Sequence, residues 1–367
     1  MINPAVSIIM PIYNASKFLK ESLGGLVQQT LHNIEIICVN DGSTDDSLEI
    51  IKQYAFNDSR IKIIDKRNSG YGNTMNEGMK IATGEYIGIL EPDDFCDIYM
   101  FDKLYSIAKS NNAEVVKSNY FEYSQKENKN TFFEVLNGLE YNHVTSAEEN
   151  ERIIFMRPCI WSAIYQRKFL EYNHIMFNET PGASYQDTAF AFKVWVCAKR
   201  VLFVKEAYLH YRIDNDNSSV KSSGKVFSIC DEFWSMQSFL NEDKKRKDRF
   251  SKILQSLKFD SYTWNLNRIS EEYQTIFSDQ FALEFIKSEY EGVLEESYFD
   301  EERWRRVKSL MNSYKKTRGE LSLSKQQEIE FLKRRVKDLE ESHSYKFGHF
   351  FMLIPGKIKR LFSRKSK

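Results

Sequence analysis

The sequence predicts an α/β protein: a mixed, mostly parallel sheet flanked by helices, with a helical extension behind it. Three observations carry this. Over about the first 120 residues, short apolar runs rich in β-branched residues alternate with segments of helical period, joined by short loops. Four polar clusters each fall just after such a run, at the strand ends where ligands sit in parallel sheets. From about residue 226 the pattern turns helical, with aromatics three and four apart. That spacing predicts an appended bundle whose aromatics are core rather than a cofactor box.

The elements follow in order. Residues 6–12 are apolar and predict a strand that stops at Tyr13-Asn14. Ser16 is the expected cap of a helix reaching about residue 29, with Phe18, Leu19, Leu23, Leu26 and Val27 on its apolar face. Residues 34–39 predict a second strand, broken by the polar run from Asn40 to Asp46. A helix over 47–56 and a strand over 61–64 come next. Asn68-Ser69-Gly70-Tyr71-Gly72-Asn73 then leads into a helix that ends near Gly84. Residues 86–90 read as a buried strand, 98–111 as a helix and 114–118 as a fifth strand. Residues 120–150 lack clear period and predict a loop or irregular hairpin. Turn formers fill 177–187, a helix is expected over 188–198, and a strand over 201–211 ends at His210-Tyr211-Arg212.

Composition narrows the classes. The chain has 367 residues, 42% of them apolar and 14% aromatic, enough to fill a substantial core. Lysine plus arginine equals aspartate plus glutamate at 52 each, which argues against a nucleic-acid binder held by a large basic face. The five cysteines, Cys38, Cys96, Cys159, Cys197 and Cys230, are odd in number and widely spaced. They predict reduced thiols in a cytoplasmic protein rather than a disulfide or zinc framework. No signal peptide is expected from the first residues, and no run reaches the ~18 apolar residues of a spanning helix.

Two later stretches stand apart. Residues 321–342 are charged and helical, with Ile329, Leu332, Val336 and Leu339 in a 3-4-3 spacing that permits a homodimer through a short coiled coil. Residues 345–367 carry Lys346, Lys357, Lys359, Arg360, Arg364, Lys365 and Lys367, no acid, and several large apolar side chains. Such a stretch suits peripheral contact with the anionic inner face of the cell membrane. A helix docked on the bundle with a solvated basic end fits it as well.

The strand at 86–90 ends in Glu91-Pro92-Asp93-Asp94. Like charges crowded at a strand end are costly, and a hard divalent cation with oxygen ligands offsets that cost. A solvated acidic turn is the other reading, since Pro-Asp is ordinary turn chemistry.

Taken together, the motifs resemble family 2 glycosyltransferases of the GT-A fold, of the kind that assemble bacterial surface polysaccharides. Residues 7–14, Ser7-Ile-Ile-Met-Pro-Ile-Tyr-Asn14, are similar to the family's first strand and nucleotide-edge loop. Asp41-Gly42-Ser43-Thr44-Asp45 resembles its D-G-S-x-D signature. Asn68 to Gly84, closing in Ala82-Thr-Gly-Glu-Tyr86, is similar to the helix before the metal strand. Glu91-Pro-Asp-Asp94 occupies the place of the metal-binding D-x-D, and Gln186-Asp187-Thr188-Ala189-Phe190 that of E-D-x-x-F. The resemblance covers residues 5–120 and, more loosely, 150–220.

The resemblance implies a transferase domain over 1–225, with a nucleotide-sugar half (1–120) and an acceptor half (121–225). Behind it come the bundle at 226–320, the charged helix at 321–344 and the tail at 345–367. It implies a sugar moved from a nucleotide-sugar, UDP-linked, to a hydroxyl of a glycan or lipid-linked glycan, with inversion. Pro11, Tyr13 and Asn14 would wall the base, and Asp41, with Gly42 and Ser43, would receive its ring N–H; a plain turn role for Asp41 stays open. Asn68, Gly70 and Asn73 begin a helix, where backbone N–H groups can meet phosphate. Asp93 and Asp94 would hold Mn²⁺ or Mg²⁺; Glu91, where the family has Asp, would reach it through water. Asp187 would be the base, with helix capping the alternative and Glu179 a second candidate base. Trp161 and Tyr165 would either stack on a sugar or pack in the core. His210 and Arg212 end a strand near the same edge, Arg212 pairing with phosphate or with a surface acid. A nucleotidyltransferase and a non-catalytic nucleotide-sugar-binding scaffold share this fold and remain alternatives.

Overall fold

A computed structural model of the chain describes residues 3–138, 140–215 and 226–318. The first half alternates as expected: β1 (Val6–Ile12), α1 (Ser16–Val27), β2 (Ile34–Asp41), α2 (Ser47–Asn57), β3 (Ile61–Lys66), α3 (Tyr71–Ile81), β4 (Tyr86–Ile89), β5 (Phe95–Cys96), α4 (Met100–Asn111) and β6 (Val115–Ser124). β7 (Lys129–Phe133), β8 (Val144–Thr145), β9 (Ala163–Gln166), α5 (Arg167–Tyr172), α6 (Gln186–Cys197) and β10 (Val201–Arg212) follow. The strands form one mixed sheet in the order β3-β2-β1-β4-β9-β6-β10-β5, with β7 on β6 and β8 on β10.

β1 lies parallel between β2 and β4, and every residue of the three strands is buried. Helices cover both faces of such strands, which explains their near-continuous apolar sequence. Gly88 in β4 is needed for that cover: a Cβ there would stand 2.5 Å from the Phe101 ring of α4. Beyond β4 the sheet changes direction, since β9 runs antiparallel to both β4 and β6. β6 and β10 are again parallel. The carboxyl ends of β1, β2, β4 and β10 therefore share one edge.

Some expectations shift. Ser16 does not cap α1 but lies inside it. The helix's first N–H groups are met from the next loop instead, Ala15 N donating to Ser47 Oγ at 2.9 Å and Ser16 N to Asp45 Oδ2 at 3.0 Å. Two long-range side chains replace the local cap. The poorly periodic stretch after residue 120 contains an antiparallel hairpin of β6 and β7.

Residues 1–270 form one compact unit and a second begins at Glu271. α7 (Ser228–Asn241) and α8 (Lys244–Arg268) belong to the first unit. α7 is joined to the segment before α6 by polar contacts, among them Asn178 Nδ2 donating to Glu232 Oε2 at 2.8 Å. In the second unit, α9 (Glu271–Tyr290) packs on α10 (Glu301–Arg318). All five cysteines are buried and none forms a disulfide among the described residues. No helix among the described residues is long and apolar enough to cross a membrane. The stretches at 321–344 and 345–367 lie outside the described residues.

Candidate active site

The first two strands end in loops that hold each other. Pro11 is buried, while the Tyr13 ring is 53% exposed at the edge. Asn14 takes a left-handed backbone (φ 51°). Its N–H donates to Ser43 Oγ at 3.0 Å, and its Oδ1 accepts from Thr44 N at 2.7 Å. Gly42 is also left-handed (φ 69°), and a Cβ there would meet Asn68 N at 2.7 Å. The D-G-S-T-D run thus builds a frame in addition to any contact with a ligand.

Asp41, at the end of β2, is only 3% exposed. Its carboxylate accepts from Ser69 N at 2.8 Å and Gly70 N at 3.0 Å, and pairs with Lys66. It ties the third cluster to the second. Gly70 (φ 91°) and Gly72 start α3 against residues 178–182; a Cβ on Gly72 would lie 1.9 Å from Asn178 O. Asn68 is exposed on this loop. Asn73 accepts from Ser69 Oγ at 2.6 Å and donates to Glu179 Oε2 at 3.2 Å. Glu179 also receives Asn76 Nδ2 at 3.0 Å, so its carboxylate braces α3 and is already engaged.

The acidic turn is different. Glu91 and Asp93 are half-buried and Asp94 is 1% exposed. Glu91 accepts from the Tyr71 hydroxyl at 2.6 Å, and Asp93 Oδ2 from Asn215 Nδ2 at 2.8 Å. Asp94 Oδ1 accepts from Arg212 N at 2.8 Å, but its buried Oδ2 has no partner among the described residues. Burial and the charges of Asp93 and Asp187 push Glu91 up to about 8, despite the Tyr71 bond. Burial, then Asp93 and Glu91, hold Asp94 well above the carboxylate range. Asp187, in the first turn of α6, is pushed up to about 6 by burial, against the Thr188 N–H that donates to its Oδ1 at 2.8 Å.

Whether these residues suit a cation follows from their chemistry. Among the described residues, no group of three or more His, Cys, Asp or Glu could hold a metal ion. A Mg²⁺-like ion shared with a diphosphate needs only one or two protein carboxylates. The donor set here is all oxygen, its charges repel one another, and one buried oxygen is orphaned. It fits a hard cation completed by substrate, not a closed protein cage.

Arg212 is spoken for. Its Nε donates to Asp93 O and one terminal nitrogen to Gln125 Oε1, each at 2.8 Å, and it pairs with Glu21. With these contacts the arginine clamps the acidic turn. His210 is sandwiched between Phe95 (4.4 Å between centroids) and Phe121 (5.1 Å), with Asp97 and Asn130 at its nitrogens. It packs at the strand end and has no free ring face. Tyr165 is fully buried, its hydroxyl donating to Ile160 O at 2.7 Å, so core packing prevails over sugar stacking there.

Trp161 does border open space. A cavity of about 510 Å³ is lined by Trp161, Tyr211, Arg157, Tyr185, Trp264 and Asp187, among others. Trp161 stacks on Tyr211 at 5.1 Å, and the Arg157 guanidinium lies over the other aromatic neighbours Tyr211 and Phe133. Tyr211 directly precedes Arg212, whose N–H donates to Asp94 Oδ1, so the cavity abuts the acidic turn. Arg157, Tyr185, Tyr211 and Trp264 were not expected as site residues. Arg157 and Tyr185 sit in segments without regular period, Tyr211 in the expected strand over 201–211, and Trp264 in a helix read only as core. Gln186, where a Glu is usual, donates to Thr180 Oγ1 at 2.8 Å and Gly182 O at 3.1 Å. A carboxylate could not donate these bonds, so the departure serves the loop before Asp187.

This fold is the GT-A fold of glycosyltransferases. The model for glycosyl transferase family 2 matches residues 7–172. EpsJ of Bacillus subtilis, an uncharacterized glycosyltransferase, is 35% identical over 221 residues, which cover 59% of this chain and 62% of EpsJ. Glycosyltransferase GlyG of Streptococcus pneumoniae is 31% identical over 217 residues, 56% of this chain and 70% of GlyG. Among solved structures, S. aureus TarS 1–349 in complex with UDP-GlcNAc superimposes with a TM-score of 0.53 at 19% identity, covering 87% of this chain and 94% of that one. The chain belongs to glycosyl transferase family 2. It spans under two thirds of EpsJ's own length.

Proposed function

We propose that the protein transfers a sugar from a UDP-sugar to a hydroxyl of a glycan acceptor, with inversion at the anomeric carbon. The observation that carries this is a wall shared by two places: Arg212 N donates to Asp94 Oδ1 at 2.8 Å in the acidic turn, and its chain neighbour Tyr211 lines a cavity together with Asp187. One boundary thus joins the acidic edge of a nucleotide-binding sheet to a room for an acceptor. That TarS was crystallised with UDP-GlcNAc supports a UDP-sugar as the donor class.

In this reading Tyr13, Pro11 and the Asp41 frame receive the base and ribose. Asp93 and Asp94, with Glu91 behind, would hold Mn²⁺ or Mg²⁺, which when bound offsets charge on the departing diphosphate. Asp187 accepts the proton of the acceptor hydroxyl as its oxygen bonds to the anomeric carbon and the carbon–oxygen bond to the diphosphate breaks. With its carboxyl at about 6, Asp187 is ionised at neutral pH yet basic enough to take that proton. Arg212 and Asn215 orient the acidic turn. The basic stretch at 345–367 favours an acceptor carried on lipid at the inner face of the membrane.

The test is a screen of nucleotide-sugars for thermal stabilisation with and without MnCl₂, followed by product analysis for the stabilising donor. Expected is stabilisation by UDP-sugars that depends on the cation, and release of UDP. Release of pyrophosphate would instead identify a nucleotidyltransferase. Binding without turnover of any donor would leave a scaffold.

A further inference from the structure

The cavity has a second wall that the family match does not reach. That match ends at residue 172, whereas Trp264 comes from α8. Its indole is 47% exposed, unusual for the largest aromatic side chain in a helix otherwise packed on the unit. It is held in place. Tyr185 meets the ring edge-on at 5.9 Å between centroids, and the Arg268 guanidinium lies 5.2 Å from the centres of both rings. Tyr185 is fixed in turn by its hydroxyl, which donates to Asn265 Oδ1 at 2.8 Å, and Asn265 donates to Val226 O at 2.9 Å. The backbone at Tyr185 is left-handed (φ 61°), so this ring sits at the entry to α6, two residues before Asp187.

A rigid, half-exposed indole beside polar side chains has the chemistry of a saccharide platform. The axial C–H face of a pyranose packs on the ring, while Arg268, Asp260 and Ser261 of the same helix supply polar groups at its rim. The stacked pair Trp161–Tyr211 forms the other aromatic surface of the same cavity.

We propose that α8 carries a second acceptor subsite. The sugar that reacts lies by Asp187 against Trp161 and Tyr211, and the next sugar of the acceptor stacks on Trp264. The acceptor is then an oligosaccharide of two or more pyranose units rather than a monosaccharide. This rests on the placement of the acceptor at Asp187, and it makes Trp264 a specificity-determining residue that touches no reacting atom.

The experiment measures binding rather than turnover. Full-length protein, with UDP and MnCl₂ present, is titrated with glucose, galactose and N-acetylglucosamine and with their β1,4- and α1,4-linked di- and trisaccharides. Binding is followed by saturation-transfer NMR and competition. In at least one series the disaccharide is expected to bind about tenfold more tightly than its monosaccharide, the scale of one aromatic contact. Trp264→Ala should remove that gain and Trp264→Phe should keep most of it. Equal affinities in every series, no saturable binding in any, or an unchanged gain in Trp264→Ala would each overturn the proposal. Asp187→Asn separates it from the catalytic reading. Loss of turnover with no length-dependent binding would keep the base and reject the platform; length-dependent binding with undiminished turnover would do the reverse.

Discussion

Asp41 and Asp94 each follow a parallel strand, and each is almost wholly buried, yet they are opposites. Asp41 collects two backbone N–H groups and a lysine. Asp94 has one N–H and an orphaned oxygen among other acids. The rim around β1, β2 and α3 is a frame whose polar groups satisfy one another. The rim around residues 91–94 and 187 is left short of positive partners. A buried acid with all its donors holds a fold; a buried acid without them costs stability and waits for a ligand.

Substitutions can break this contrast from either side. The largest effect is expected at Asp187. Asp187→Asn should lower transfer by about a thousandfold, within the range for a general base, with UDP-sugar affinity within twofold of wild type. In the wild type, activity should fall as pH drops through about 6, where the carboxyl takes its proton. A flat profile between pH 5 and 7 would remove Asp187 as base.

The frame comes next. Asp41→Ala strands Lys66 and the Ser69 and Gly70 N–H groups and should cost about 3 kcal/mol in denaturant unfolding. Glu35 is another buried acid held by its donors, at the opposite, amino end of β1 and β2, where it accepts from Ser7 Oγ and Thr83 N. Burial works against its charge, but Lys62, Ser7 and Thr83 bring its carboxyl from 4.5 down to about 2. The folded value is depressed, so the stabilisation is complete above the unfolded value. It is lost as pH falls from about 4.5 through 2, about 3 kcal/mol in all. Glu35→Gln should flatten that part of the pH–stability curve.

The smallest effect has the opposite sign. Asp94→Asn removes a buried carboxyl whose ionisation the apo protein disfavours and supplies a donor in its place, and should raise the melting temperature by a few degrees, about 1 kcal/mol. The same variant should lose stabilisation by MnCl₂ with UDP. A lower melting temperature without ligand would mean that Asp94 is a frame residue like Asp41.

Much of the frame was legible because it is local. Period and loop chemistry place β1 to α4 within a few residues, and the four polar clusters do meet at one edge. The corrections are all long-range. The cap of α1 comes from Asp45 and Ser47, the partner of Arg212 is Glu21, and the face of His210 is taken by Phe95 and Phe121. No spacing rule reports such contacts. The cavity was the hardest to foresee. Arg157 and Tyr211 come from opposite sides of α6, and Trp264 from a helix whose aromatics follow the same spacing as core residues.

The most direct measurement is the affinity of UDP by isothermal titration, with MnCl₂ and with EDTA, in the wild type and in Asp93→Asn. If the under-paired rim grips a diphosphate through a cation, MnCl₂ should tighten wild-type binding at least tenfold, and Asp93→Asn should abolish that gain. Equal affinity for UDP in MnCl₂ and EDTA, or a full gain in Asp93→Asn, would contradict it.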